Sequence, residues 1–440
     1  MIGKLLLVIP PVVRVVNGIY EVEADFSNNL RMYLENFDHV TFACPTILTA
    51  KDSGIIRSLP LSQIQNCDRV SHISLPYAYR EDRYLRHYLA TKKLLLSEIA
   101  KADYLLFSPH AKYDWSGLAA LLAIKMKRSY GFESDWDQGS VMRFNLKAMP
   151  FGLKKIRKTF WMYSLSNTLR KCLSNSSVAL LQGQDVFDAY KDVAPNPQKV
   201  LNVQVSSEDY IPFALLKSKR ASIEEGRVLK ISYAGRMISM KGPIDWLRAI
   251  GRACEAGVNL QATWYGDGTL MPQMVEEIER LGIHEYVTLA GMVGREEIMA
   301  NLHKTDIFLF CHMTGESPRC LGEALAAGCS LVGYGTAYSR DLVGTYGGGE
   351  FTNLGNWQAL ADIIRSLDRD RSRLSRLVEA ASASGKLLDR DTAIQNRIEH
   401  VKRSVRPPEK PRLFRESQLT IVDRHGLETA KPGAFGDEST

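Results

Sequence analysis

The chain has 440 residues, 45% apolar and 24% charged, with a formal net charge of +7, which gives two or three domains with ample core and the balance of a water-soluble globular protein. So mild a charge does not by itself imply nucleic acid, and no apolar run approaches the roughly 18–20 residues that span a bilayer. Seven cysteines (Cys44, Cys67, Cys172, Cys254, Cys311, Cys320 and Cys329), an odd number without a C-x-x-C pair, argue against a complete disulfide framework. The apolar start, M-I-G-K-L-L-L-V-I-P-P-V-V, has no small-residue cleavage site and is broken by Pro10 and Pro11, so it reads as a buried strand and not as a signal peptide. The expected location is the cytoplasm, with peripheral attachment to the inner membrane face left open.

In chain order, residues 4–9 read as a strand covered on both faces, continuously apolar from Leu5 to Ile9. A loop with Asn17 and Gly18 follows, then a helical stretch at 23–36 and a strand at 40–44. Residues 84–100 read as a helix, 104–108 as a strand ending at Pro109 and His110, and 115–127 as an apolar helix. A strand at 128–133 opens into the acidic loop E-S-D-W-D at 133–137. Residues 150–173 form a basic, aromatic helix, 177–181 a strand and 185–191 a helix. The charged run at 217–227 marks a boundary, after which the pattern restarts. Strands are expected at 228–233, 259–265, 287–290, 307–311 and 330–334, and helices at 243–256, 270–281, 295–303, 357–367, 371–380 and 389–405. Strand and helix alternate at the spacing of βαβ units, so each half is expected to be α/β with a parallel sheet. From 406 onward the chain is rich in Pro, Gly and charge, and disorder is expected.

Residues 315–328 read G-E-S-P-R-C-L-G-E-A-L-A-A-G. Ser317 suits an N-cap, Pro318 a first helical residue and Gly328 a stop. Leu321, Ala324 and Leu325 share an apolar face. Glu316 then lies in the loop before the helix and Glu323 about a turn and a half inside it. A helix N-terminus between two acids suits a ligand with a phosphate and several hydroxyls; the same residues also satisfy a plain capped amphipathic helix. Ligands of open α/β sheets bind at the carboxyl ends of strands, which singles out the loops after Tyr233, Tyr265, Cys311 and Tyr334. The first, A-G-R-M-I-S-M-K-G-P, places Gly235, Arg236 and Lys241 before a helix start at Pro243. Two cations there can neutralise a diphosphate without a metal, or they are solvated loop residues. The loop is not a Walker A motif, because the G-x-x-x-x-G-K-S/T order is missing.

Taken in order, G-R-M-I-S-M-K-G, W-Y-G-D-G, V-T-L-A-G, T-D-I-F-L-F and E-S-P-R-C-L-G-E-A-L-A-A-G resemble the C-terminal half of GT-B glycosyltransferases, and more narrowly the large retaining family four, the "glycosyl transferases group 1" type. The resemblance covers 228–380 and, more loosely, the N-terminal half. It implies two Rossmann-like, doubly wound α/β domains facing a cleft, with the last helix crossing back. The domains would be an acceptor-side unit at 1–215, a nucleotide-sugar unit at 216–386, the crossover helix at 387–405 and a tail at 406–440. It implies transfer of a sugar from a nucleotide-sugar to a hydroxyl acceptor, such as a glycan or lipid-linked glycan, with retention and no essential metal or other cofactor.

Position by position, Arg236 and Lys241 match cations that hold the donor diphosphate. Glu323 matches the ribose-holding acid, and Glu316 resembles the acid that contacts the donor sugar. Amides around Arg319, Cys320 and Leu321 would meet phosphate or sugar oxygens, Gly266 and Asp267 match a turn beside the nucleotide, and residues 287–291 would lie near the base. Gly18 is the candidate for a glycine loop near the phosphates. On the acceptor side, His110 and Asp135 stand where the family places a reacting-centre His or acid. Two departures stand out: six residues separate Glu316 from Glu323, where the family motif has seven, and the usual Asn-Gly turn between the domains is missing near 202–209. An epimerase of similar shape and a catalytically silent nucleotide-sugar binder are the competing readings. The basic helix with Phe160, Trp161 and Tyr163 suits an anionic membrane surface at 151–175, or equally a helix packing its aromatic side inward.

Overall fold

The computed structural model describes residues 3–10, 13–49 and 58–408. The expected tail lies outside the described residues from 409 onward. Among the described residues the N-terminal half builds one sheet from β1 (Lys4–Val8), β2 (Val13–Val16), β3 (Ile19–Glu23), β4 (His39–Thr49), β5 (Ser58–Pro60), β6 (Val70–Leu75), β7 (Tyr104–Phe107), β8 (Gly131–Ser134), β9 (Val178–Gln182) and β10 (Pro197–Val200). Its order is β10-β9-β8-β7-β1-β4-β2-β3-β5, with β6 also pairing β4. β1 is central and parallel to both neighbours, with Leu5 opposite Val40 on one side and Tyr104 on the other. That position explains its unbroken apolar run: Leu6 and Val8 enter the core under helices Glu81–Lys101 and Trp115–Lys125, while Leu5 and Leu7 enter the core on the opposite face.

The expected loop at Asn17 and Gly18 is instead the two-residue turn of the β2–β3 hairpin. Both residues have positive φ, 50° and 81°, as an Asn-Gly turn of a right-twisted hairpin requires. The acidic loop at 133–137 is also shorter than expected. Asp137 accepts a hydrogen bond from the Gly139 amide and starts a further helix, Gln138–Ala148.

The C-terminal sheet is parallel throughout: β11 (Leu229–Ala234), β12 (Leu260–Tyr265), β13 (Val287–Gly291), β14 (Ile307–Phe310), β15 (Ser330–Tyr334) and β16 (Gly349–Thr352), in the order β13-β12-β11-β14-β15-β16. Helices cover both faces, giving a second doubly wound unit with its own core. The last helix, Arg390–Ser404, packs Ile394, Ile398 and Val401 against Leu5, Leu7, Val178 and Leu180 of the first sheet, so it crosses back.

The charged run expected as a boundary is mostly helix, Phe213–Glu224, and belongs to the second unit. Leu216 and Ile223 are buried in that core, and the buried Lys219 ammonium donates to the Gly328 carbonyl at 2.7 Å. A cation at the C-terminal end of helix Arg319–Ala326 answers the negative end of its dipole. Arg227 donates to both carboxylate oxygens of Asp306 at 2.6 and 2.9 Å. Charges that read as a domain boundary are therefore fixed parts of the fold.

Candidate functional site

The residues expected on the donor side are held by three loops at the carboxyl edge of the second sheet. Their backbones are stitched together: Gly235 N–H donates to Tyr265 O at 2.8 Å, Gly266 N–H to Gly291 O at 2.7 Å, and Met237 N–H to Asp267 O at 2.9 Å. Gly266 has φ 133°, and a Cβ there would stand 2.2 Å from Gly235 O. Gly242 has φ 61°, and a Cβ would stand 2.2 Å from Cys311 O. Only glycine permits either approach. Gly266→Ala is therefore expected to cost about 1–3 kcal/mol from backbone strain and overpacking, read as a lower denaturation midpoint, and to weaken nucleotide binding because the Arg236 loop must shift.

The loop so fixed carries Arg236 and Lys241. Arg236 is exposed and makes no ion pair among the described residues. Lys241 is largely buried and donates to Glu316 Oε1 at 2.8 Å. Beneath them Tyr233 lies within hydrogen-bond distance of His312 Nε2, 2.7 Å away. Burial first, and then the Lys241 charge, hold His312 well below the usual imidazole range, so it is neutral. Asp267 is exposed and accepts from the Gly268 amide at 2.6 Å, which holds its own turn.

The helix between the two acids begins one residue later than expected, at Arg319, and no side chain caps it. Ser317 is not the N-cap, because its hydroxyl donates to Gln182 O at the end of β9 in the first unit. Pro318 occupies the N-cap position outside the helix. The free first turn faces the cleft with Arg319 at its head, and Arg319 reaches across to Asp25 Oδ2 at 2.6 Å. Cys320 has its thiol pushed up to about 12 by burial, so it meets a ligand uncharged. Leu321 is buried against the core.

Glu323 is mostly buried, and burial raises its pKa against the pull of Arg295 and Arg319. Arg295 stands 3.3 Å from its Oε1 and forks onto both Asp209 oxygens at 2.8 and 2.9 Å. Glu316 remains in the site despite the one-residue shift: its side chain meets Lys241, and its backbone pairs with Trp136 across the cleft.

The same crossing brings up the residues expected on the acceptor side. Asp135 opens to solvent in the cleft but is crowded by protein; this desolvation raises its carboxyl pKa, opposed by the charge of His110 and then Arg319, and reinforced by Glu316. His110 Nδ1 lies 3.3 Å from Asp114 Oδ2, an ion-pair distance with poor hydrogen-bond alignment. Burial works against its protonation, yet Asp114 and then Asp135 outweigh it, and the pKa is raised. Asp135 thus stands between His110 on its own side and the charges of Arg319 and Glu316 on the other. Gly18 does not join this group among the described contacts. It tops the hairpin with open space around it, and Asp25 is the residue of that segment that meets the second unit.

Two residues escape a reading of the sequence alone. Asp25 carries only the weak mark of an acid in a helix's first turn, and Arg295 only that of a cation after a turn, and their partners are 294 and 86 or 28 positions away.

Residues 217–384 match the family model described as "Glycosyl transferases group 1". The match lies wholly in the C-terminal half and covers the second sheet and its helices. Around it, the whole described fold is that of GT-B glycosyltransferases. HepE of Anabaena, solved in complex with UDP, aligns with TM-score 0.63 and 15% identity over 91% of this chain and 100% of that chain. Sucrose-phosphate synthase from Thermosynechococcus elongatus aligns with TM-score 0.63 and 11% identity over 90% and 98%. WaaG, a glycosyltransferase involved in lipopolysaccharide biosynthesis, aligns with TM-score 0.61 and 11% identity over 90% and 99%. No curated protein sequence matches at a significant level. The helix start, Arg236, Lys241, Glu316 and Glu323 all fall inside the group 1 domain, whereas His110, Asp135 and Asp25 lie outside it.

Proposed function

We propose that the cleft transfers a sugar from a nucleoside-diphosphate sugar to a hydroxyl of a glycan or lipid-linked glycan, with retention, in the assembly of a polysaccharide or glycolipid. The observation that carries this reading is the uncapped start of helix Arg319–Ala326, set in a group 1 domain with Lys241 on one side and the buried Glu323 on the other. Backbone amides, Arg236, Lys241 and Arg319 offer positive charge where a diphosphate leaving group develops negative charge. No metal is assigned to that task. Glu323, oriented by Arg295, accepts hydrogen bonds from ribose hydroxyls. UDP is the first nucleotide to try, since HepE is seen with UDP and with UDP-glucose.

Across the cleft, Asp135 accepts the proton of the incoming hydroxyl, a role that suits a carboxylate whose pKa is raised. The transition state is oxocarbenium-like, and Glu316, bonded to Lys241, contacts the sugar. Retention rests on the family resemblance of the donor motifs.

The test is nucleotide binding followed by product analysis. A nucleoside diphosphate at about 100 times its Kd should stabilise the protein by about 2.7 kcal/mol. Glu323→Ala should weaken that binding about 10- to 100-fold, the worth of hydrogen bonds to a charged group. If no nucleoside diphosphate binds, the transferase fails. Binding with no transfer to any hydroxyl acceptor would leave a silent binder, and release of an isomerised sugar an epimerase.

A further inference from the structure

The stretch 138–177 holds eight Lys or Arg residues and no Asp or Glu, and the donor and acceptor sites use none of them. Its main element is helix Leu153–Ser174. The second half of this helix is ordinary: Leu165, Leu169, Cys172 and Leu173 turn into the core. The first half is turned the other way. Leu153 is 86% exposed and Phe160 71%, with Ile156 and Tyr163 exposed on the same helical face, and Phe151 just ahead is 89% exposed. Helix Glu81–Lys101 repeats the arrangement, with Leu89 77% exposed and Leu85 exposed one turn earlier, beside the exposed Arg86 and Lys93.

The two helices are neighbours. Tyr84 of one and Trp161 of the other both pack on Tyr113, each with ring centroids 5.5 Å apart, and Lys112 Nζ stands 5.1 Å from the Trp161 ring. Both helices thus present exposed apolar side chains with cations beside them on elements joined through Tyr113, and the exposed acids Glu81 and Asp82 lie at the start of the first.

We propose that this two-helix face docks on an anionic lipid bilayer. Protein interfaces draw their core from apolar residues with charge depleted. Here Arg157 and Lys154 border the apolar stripe along one flank, and the whole stretch 138–177 offers positive charge with no acid. Phe and Leu inserted at the headgroup level, with Lys and Arg reaching anionic phosphates, is the pattern of an interfacial helix. Among the described residues no helix is long and apolar enough to cross a membrane, so the attachment is to one leaflet. Lys112 and Tyr113 lie two and three residues after His110 in the chain, so docking would hold the acceptor side of the cleft at the bilayer. That consequence rests on the proposed transfer, whereas the docking does not.

Vesicle cosedimentation of the full chain tests the proposal, with UDP binding measured in parallel. The wild-type protein should sediment with phosphatidylglycerol-containing vesicles, not with phosphatidylcholine alone, and should be released at high salt. Removing Lys154 and Arg157 as K154A/R157A should weaken partitioning about 25-fold, roughly fivefold per charge. L153E/F160E, and L89E on the other helix, should each abolish it with UDP binding intact. The proposal is overturned if the wild-type protein ignores phosphatidylglycerol, if either set of variants sediments like wild type, or if L153E/F160E instead converts a dimer to a monomer, which would assign the face to a second copy. Loss of UDP binding in wild type as well would count against the donor site alone.

Discussion

Arg236→Ala is expected to lower kcat/KM about 100-fold or more while leaving the thermal midpoint almost unchanged. The magnitude is that of removing one preorganised group from developing negative charge in a site that excludes water. The unchanged midpoint follows from the exposed, unpaired state of Arg236 among the described residues. Lys241→Ala should cut the rate as deeply but also destabilise, because it strands the half-buried Glu316 carboxylate. The two effects can be separated. Adding Glu316→Gln to Lys241→Ala should recover stability and not activity. Initial rates and denaturation of the single and double variants check this, and wild-type-like turnover in Arg236→Ala would remove the diphosphate assignment.

Asp114→Ala should be the most damaging single change to stability, costing about 3–5 kcal/mol. Its buried carboxylate accepts from the amides of His110 at 2.7 Å and Ala111 at 2.8 Å, and from Gly117 N–H at the start of helix Trp115–Lys125. It also faces His110 Nδ1. Asp114→Asn should cost less, since Asn caps a helix nearly as well as Asp but leaves His110 without its countercharge.

The pair also makes stability depend on pH. Although burial favours the neutral acid, the His110 interaction and the amides lower the Asp114 pKa below its ordinary 3.8, so its contribution is whole above 3.8 and is lost as pH falls through the lower folded value. His110 is raised above 6.5, so its contribution is whole below 6.5 and fades as pH rises through the raised value. The stability difference between wild type and His110→Gln should therefore be flat from about pH 4 to 6.5 and shrink above that. Urea midpoints across that range read it directly. A difference that grows with pH would show that His110 is held neutral.

What the sequence determined by itself is what period and punctuation encode. Unbroken apolar runs such as residues 5–8 and 307–310 announce strands covered on both faces, and their alternation with helical runs gives two parallel α/β units. The segments proposed to hold the donor were legible for the same reason: Gly235, Arg236, Lys241 and Glu323 sit within short stretches next to strand ends and a helix start.

The tertiary structure alone decided everything that depends on a distant partner. Ser317 looked like a cap because the next residues were a helix start, but its hydroxyl is taken by a carbonyl 135 positions away. The charges of 217–227 read as a boundary, yet Lys219 and Arg227 meet Gly328 and Asp306. Asp25 enters the cleft only through Arg319, and Arg295 reaches Glu323 only when two loops meet. A polar side chain can satisfy its hydrogen bonds locally, with water or with a remote group. These outcomes cost similar free energy, so the choice among them is made by which surfaces the packed sheets bring together.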